Sequence, residues 1–164
     1  MTLSVPSRPS YLSFDRSVYP WKAGVDYRKN PEKYRVGRGE QGVLICEPYK
    51  TEINQHWRFK TPEIAKKSSA KILAMFRKYM REDDFVGTDM ARKFLQMGYT
   101  RSRRYANYKG GQKYDKANDY ALKRRGTGDA VKAESAAVFY KAWKAAEANK
   151  RYALRKAEWK AEYG

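Results

Sequence analysis

Thr61-Pro62-Glu63 is the feature that most narrows the fold. A residue able to cap, a proline at the first helical position and an acid in the first turn mark a helix start. The next twenty or so residues keep a helical period. Ile64, Ser68, Ile72, Met75, Phe76 and Tyr79 recur at spacings of three and four, broadened by Leu73 and Met80. Lys66, Lys67, Lys71, Arg77, Lys78 and Arg81 lie off the stripe. A helix is predicted from Thr61 to about Glu82–Asp84, and its apolar stripe needs a second layer to cover it.

A second helix is predicted from Thr88 or Asp89, with Met90, Ala91, Phe94, Leu95 and Met97 on its buried side. Gly98 suits its C-terminal end. Thr100 would then cap a short third helix over 101–108, ending before Gly110-Gly111. A further helix through Lys116–Arg125 is compatible with the sequence. Asp129 is the expected cap of a long final helix, rich in Ala, Lys and Glu, running almost to Gly164. At 1.5 Å per residue, about 34 residues would span about 50 Å, longer than a small domain is wide. Its apolar repeat is strongest in the first half.

The N-terminal region is different. Residues 1–35 are punctuated by Pro6, Pro9, Pro20 and Pro31, and read as an extended arm anchored by Tyr11, Phe14, Tyr19 and Trp21. Disordered tails rarely carry so many aromatics. GRGEQG (37–42) reads as a tight turn; as a dinucleotide fingerprint it would precede its strand, the wrong context. VLICE (43–47) is apolar and β-branched, and in QHWRFK (55–60) Trp57 and Phe59 alternate with polar residues. The two runs are predicted to pair as a hairpin. The expected fold is therefore α+β and mostly helical. It has an aromatic arm over 1–35, an α+β core with a small β-hairpin over 36–128, and a long C-terminal helix over 129–164. If that helix is an appendage, its deletion should leave the core folded.

Charge points to a partner. The chain carries 36 Lys+Arg against 18 Asp+Glu, a formal net charge of +18. Such a chain repels itself, and a polyanion is the economical counterpart. No apolar run reaches transmembrane length, so a membrane is not expected, and the start lacks the regions of a signal peptide. One cysteine, Cys46, and one histidine, His56, exclude a disulfide scaffold and a Cys/His zinc site within one chain. A cytoplasmic location is expected.

The densest charge lies in 97–125, with nine Lys+Arg against two acids. Guanidinium forks suit phosphate oxygens and tyrosine rings offer faces for bases. Arg101, Arg103, Arg104, Lys109, Lys113, Lys123, Arg124 and Arg125 are the phosphate-binding candidates, with Tyr105 and Tyr108 as stacking candidates. The leading function is nucleic-acid binding, to DNA or RNA, without strong sequence preference and without a cofactor. A second reading is a virion or host-machine interaction protein that docks a protein partner or a second copy through 129–164. A third is a small Mg²⁺-dependent nuclease-like hydrolase using Glu40, Glu47, Lys50 and His56. Its spacing matches poorly, since Glu47 precedes Lys50 by three residues with Pro48 between them. Only that third reading calls for Mg²⁺. Asp83, Asp84 and Asp89 lack calcium-loop spacing and are better read as helix ends and caps.

Three blocks, GRGEQGVLICEPYKTEI, HWRFKTPEIAKKSS and DDFVGTDMARKFLQMGYTRSRRYANYKGGQKYD, resemble an uncharacterised family, number 4385 in the series of domains of unknown function. Its members occur in bacteria, in some fungi and in tailed phages, notably those of marine cyanobacteria. The resemblance covers roughly residues 25–115. It implies no activity and carries over no catalytic residue.

Overall fold

The computed structural model describes residues 18–108 and 130–164, with the backbone of a two-residue antiparallel ladder between Tyr114–Asp115 (β1) and Ala121–Leu122 (β2). Helices carry the rest of the described fold: α1 (Tyr49–Asn54), α2 (Pro62–Arg81), α3 (Phe85–Asn107), α4 (Ala130–Glu147) and α5 (Lys150–Tyr163). The architecture is helical and not α+β. The ladder replaces a helix at Ala121–Leu122, and the rest of the predicted Lys116–Arg125 helix falls outside the described residues.

α2 forms where its start signal places it. The Thr61 hydroxyl accepts from the Ile64 amide at 3.2 Å, and Pro62 is the first helical residue. Ala65, Ser68, Ser69, Ile72, Phe76 and Tyr79 are buried, while the lysines face out. Ile64, at the head of the predicted stripe, is instead exposed.

The predicted hairpin does not form, because turns and side chains take the donors a ladder would need. In the first run the Val43 amide donates to the Glu40 carbonyl (3.2 Å) and the Ile45 amide to the Gly42 carbonyl (3.1 Å). The connecting loop is itself helical, as α1. In 55–60 the Trp57 amide donates to the Asn54 carbonyl (3.1 Å) and the Arg58 amide to Ser68 Oγ (2.9 Å). The alternation survives with another meaning. Trp57 and Phe59 turn inward onto Phe94 and Tyr105 of α3, with ring centroids 5.9 and 6.0 Å apart, and the segment becomes an irregular strap.

α3 starts earlier and ends later than predicted. Asp84, not Thr88 or Asp89, is its cap, with a carboxylate that accepts from the Gly87 amide at 3.0 Å. Gly98 does not end it. The helix runs through to Asn107, merging the predicted second and third helices, and Gly98 lies inside it against Phe139 of α4. A Cβ there would lie 2.2 Å from Phe139 Cδ1. The glycine serves packing and not termination. Gly98→Ala is expected to lower stability by about 1–3 kcal/mol through overpacking, despite the better helix propensity of alanine. Urea unfolding checks this, and combining it with Phe139→Ala should cost less than the two losses added.

The single long C-terminal helix is also corrected. α4 stops at Glu147, and Asn149 caps α5 by accepting from the Tyr152 amide at 2.9 Å. α4 packs on α3 and α2 through Ala136, Phe139, Ala142 and Ala146. The break brings Tyr152 and Trp159 onto the core: Trp159 stacks on Phe85 with centroids 4.9 Å apart, and its Nε1 donates to the Tyr34 carbonyl at 2.9 Å.

Of the predicted arm anchors, Tyr11 and Phe14 lie outside the described residues. Trp21 is buried, and its Nε1 donates to the Arg35 carbonyl at 2.7 Å. GRGEQG is the expected turn. Gly37 and Gly42 have φ of 68° and 81°, and a Cβ on either would meet the Trp21 ring at 2.4 Å.

Candidate nucleic-acid interface

The last two turns of α3 present Arg101, Arg103 and Arg104, with Arg104 exposed and the other two half-buried. Cations at a helix C-terminus are favoured by the macrodipole. That effect makes the arginines tolerable there but supplies no partner for them. Among the described residues, no carboxylate lies within ion-pair distance of any of the three. Among the described residues Glu40 is an acid that feels Arg101 and Arg104, and its carboxylate accepts from the Thr100 hydroxyl at 2.9 Å. Burial pushes the Glu40 carboxyl above its ordinary pKa, against the opposing pull of the Thr100 hydroxyl and of Arg101, Arg104 and Arg92.

Aromatic rings flank the arginines on both sides. On one side Tyr105 is 38% exposed and packs on Phe59 of the strap. Lys132 Nζ sits 5.7 Å from the Tyr105 ring and donates to the carbonyls of Phe59 (3.2 Å) and Lys60 (2.9 Å). Arg101 lies 6.0 Å from the Trp57 ring. On the other side Tyr99, one turn before Arg103, meets Tyr140 and Trp143 of α4, with centroids 5.2 and 5.6 Å away. Tyr140 is 44% exposed, and Lys144 Nζ lies 4.1 Å from the Trp143 ring. Tyr108 is half-buried at the end of the helix.

Nearer its start, α3 also carries a buried charge cluster that sequence reasoning missed. Asp89, Arg92 and Lys93 occupy one face of α3 and are almost fully enclosed. Asp89 accepts from the hydroxyls of Tyr34 and Tyr152 and from Arg92 Nη2, the latter two at 2.6 and 2.7 Å. Arg92 Nη1 donates to the Gly39 carbonyl at 2.6 Å and Lys93 Nζ to the Gln41 carbonyl at 2.6 Å, so both cations fasten the GRGEQG turn to the helix. Burial alone would raise the Asp89 pKa. Arg92, Lys93 and the two tyrosine hydroxyls outweigh it and hold the carboxyl at about 2. Burial lowers Lys93 to about 8, against the pull of Asp89. The signal available in the sequence was Asp89 at three and four residues from Arg92 and Lys93 inside an otherwise apolar helix.

The other predicted residues are separately engaged. Glu47 accepts from the Thr51 amide and hydroxyl, both at 2.8 Å, within the first turn of α1. Lys50 is half-buried on α1, and His56 lies on the strap. Asp84 caps α3 and accepts from the Tyr49 hydroxyl at 2.6 Å, while Asp83 pairs with Arg155. Among the described residues no group of acids, His and Cys could hold a metal ion, and no helix is long and apolar enough to cross a membrane. Lys109, Lys113, Lys123, Arg124 and Arg125 lie outside the described residues.

No curated protein and no solved structure matches the chain. One family model does, over residues 20–162, so the match extends through α4 and α5 and well beyond the 25–115 of the quoted blocks. The chain with this arginine ridge and buried charge cluster belongs to the family described as Domain of unknown function (DUF4385).

Proposed function

We propose that this protein binds nucleic acid without strong sequence preference, holding backbone phosphates on the α3 ridge and bases on the flanking tyrosines. The observation that carries the reading is the set of Arg101, Arg103 and Arg104 at one helix end, without a carboxylate in ion-pair range among the described residues and between exposed Tyr105 and Tyr140. Guanidinium groups bond phosphates bidentately, and rings accept any base, so neither contact reads sequence. Lys109, Lys113, Lys123, Arg124 and Arg125 add to the same charge along the chain. A single, buried thiol suits a reducing compartment, and the cytoplasm is the location we assign to this activity.

The test is oligonucleotide binding at several salt concentrations. The logarithm of affinity should fall linearly with that of salt. Arg103→Glu with Arg104→Glu should weaken binding at least about tenfold for unrelated sequences alike and reduce the salt slope by about 2. Affinity that ignores both salt and this double reversal would sink the proposal.

A further inference from the structure

A second cationic feature lies on α2, away from the ridge. Between α2 and the strap runs an open groove of about 280 Å³, whose lining includes His56, Arg58, Lys67, Ser68 and Lys71 and no acid. Lys67, Ser68 and Lys71 share one face of α2 by the three-four spacing. The strap forms the opposite wall, and Ser68 fastens it there. Its Oγ donates to the His56 carbonyl at 2.6 Å and accepts from the Arg58 amide at 2.9 Å. Because side chains alternate along the strap, Phe59 packs on α3 while its neighbour Arg58 lines the groove.

Arg58 is held in place without being neutralised. Its Nη1 donates to the carbonyls of Asn54 (3.1 Å) and Trp57 (2.7 Å), which leaves Nη2 and Nε without a protein acceptor among the described residues. Nor does any described carboxylate form an ion pair with Arg58, Lys67 or Lys71. Lys67 and Lys71 are like charges one turn apart, an arrangement that destabilises a helix. An anion in the groove would turn that repulsion into attraction.

We propose that this groove is a binding site for a phosphate group, held by Arg58, Lys67 and Lys71 with His56 and Ser68 in its wall. Three cations against no acid match a multiply charged oxyanion better than a carboxylate. The free edge of the Arg58 guanidinium fits two phosphate oxygens. The volume falls just below the roughly 300–1,000 Å³ of sites for drug-sized ligands, which suits a phosphate with a short stretch of whatever it is esterified to. The same chemistry serves free phosphate and the terminal phosphate of an oligonucleotide. The site uses none of the ridge residues and stands independently of the nucleic-acid reading.

His56 is the one histidine of the chain, so its imidazole NMR signals report on this groove alone. Inorganic phosphate, titrated at constant pH and ionic strength against chloride, is expected to shift those signals saturably. Lys67→Gln with Lys71→Gln, both exposed positions, should raise the apparent Kd at least about tenfold, whereas Arg103→Glu with Arg104→Glu should leave it unchanged. Comparison of 5′-phosphorylated and 5′-hydroxyl oligonucleotides of one sequence assigns the source. Saturation at lower concentration by the phosphorylated strand identifies a terminal phosphate, and a saturable response to inorganic phosphate with none to either strand identifies free phosphate as the ligand. Signals that move alike with chloride and phosphate, or a Lys67/Lys71 variant that binds phosphate as the native protein does, would overturn the proposal. A ridge variant that loses oligonucleotides but keeps the phosphate response would leave the groove standing.

Discussion

Asp89→Ala is expected to lower unfolding stability by about 3–5 kcal/mol, the usual loss when one partner of a buried ion pair is removed. Small domains hold only about 5–15 kcal/mol in total, so this is a large fraction. The reason is specific to the surroundings of Asp89. It is the one acid in contact with both Arg92 and Lys93 among the described residues, and it also accepts from the hydroxyls of Tyr34 and Tyr152. Its removal leaves buried Lys93 without an ion-pair partner among the described residues, buried Arg92 with only Glu147 at 3.6 Å, and two buried hydroxyls without their acceptor. Chemical denaturation measures the loss. If uncompensated charge is the cause, adding Arg92→Met and Lys93→Met should recover much of it, and additive losses would refute that cause. The pH dependence has its origin in the same contacts. The folded-state pKa of Asp89 is about 2 against an ordinary 3.8, so its contribution is complete above pH 3.8 and is lost as pH falls through 2. Lys93 acts with the opposite sign. Lowered to about 8 from 10.5, it carries a cost below pH 8 that is relieved as pH rises toward 10.5. The alanine variant should lack the acid-side loss.

Truncation after residue 129 is expected to abolish cooperative unfolding, where the reading of the C-terminal helix as an appendage would have the remainder fold. α4 covers Gly98 and the apolar side of α3 with Phe139, and α5 supplies Tyr152 and Trp159. Deleting a fully buried large aromatic side chain costs about 3–5 kcal/mol, so losing Phe139 and Tyr152, together with the half-buried Trp159, removes about as much as an ordinary domain holds in total. Near-UV circular dichroism and a thermal melt decide the matter: a sharp melt of the fragment near that of the full chain would show α4 and α5 to be dispensable.

Local chemistry was the legible part. The Thr61-Pro62 start of α2 and the turn at GRGEQG arise from effects confined to a few residues: a hydroxyl that caps, a ring that presets φ, and glycines that adopt positive φ. Errors came where the same local signal serves two physical ends. Gly98 reads as a helix stop, yet a missing side chain also permits close approach, and only Phe139 shows which applies. Asp89 reads as a cap, but Asp84 holds that position and Asp89 is inside. The alternation in 55–60 is real, but its inward face meets a helix and its amide donors meet Asn54 and Ser68.

The candidate sites divide along the same line. The excess of Lys and Arg, and three arginines within four residues at 101–104, are set by the sequence alone and survive any fold. Tertiary structure decided which cations are spent inside the protein and which remain available. Arg92 and Lys93 pair with Asp89, Arg92 also with Glu147, and both are held by loop carbonyls 53 and 52 residues away in sequence. Arg101, Arg103 and Arg104 meet no described carboxylate, and Arg58, Lys67 and Lys71 become neighbours only because Ser68 ties the strap to α2. A charge is a property of one residue, but its neutralisation depends on what lies within a few ångströms, and that distance is settled by packing.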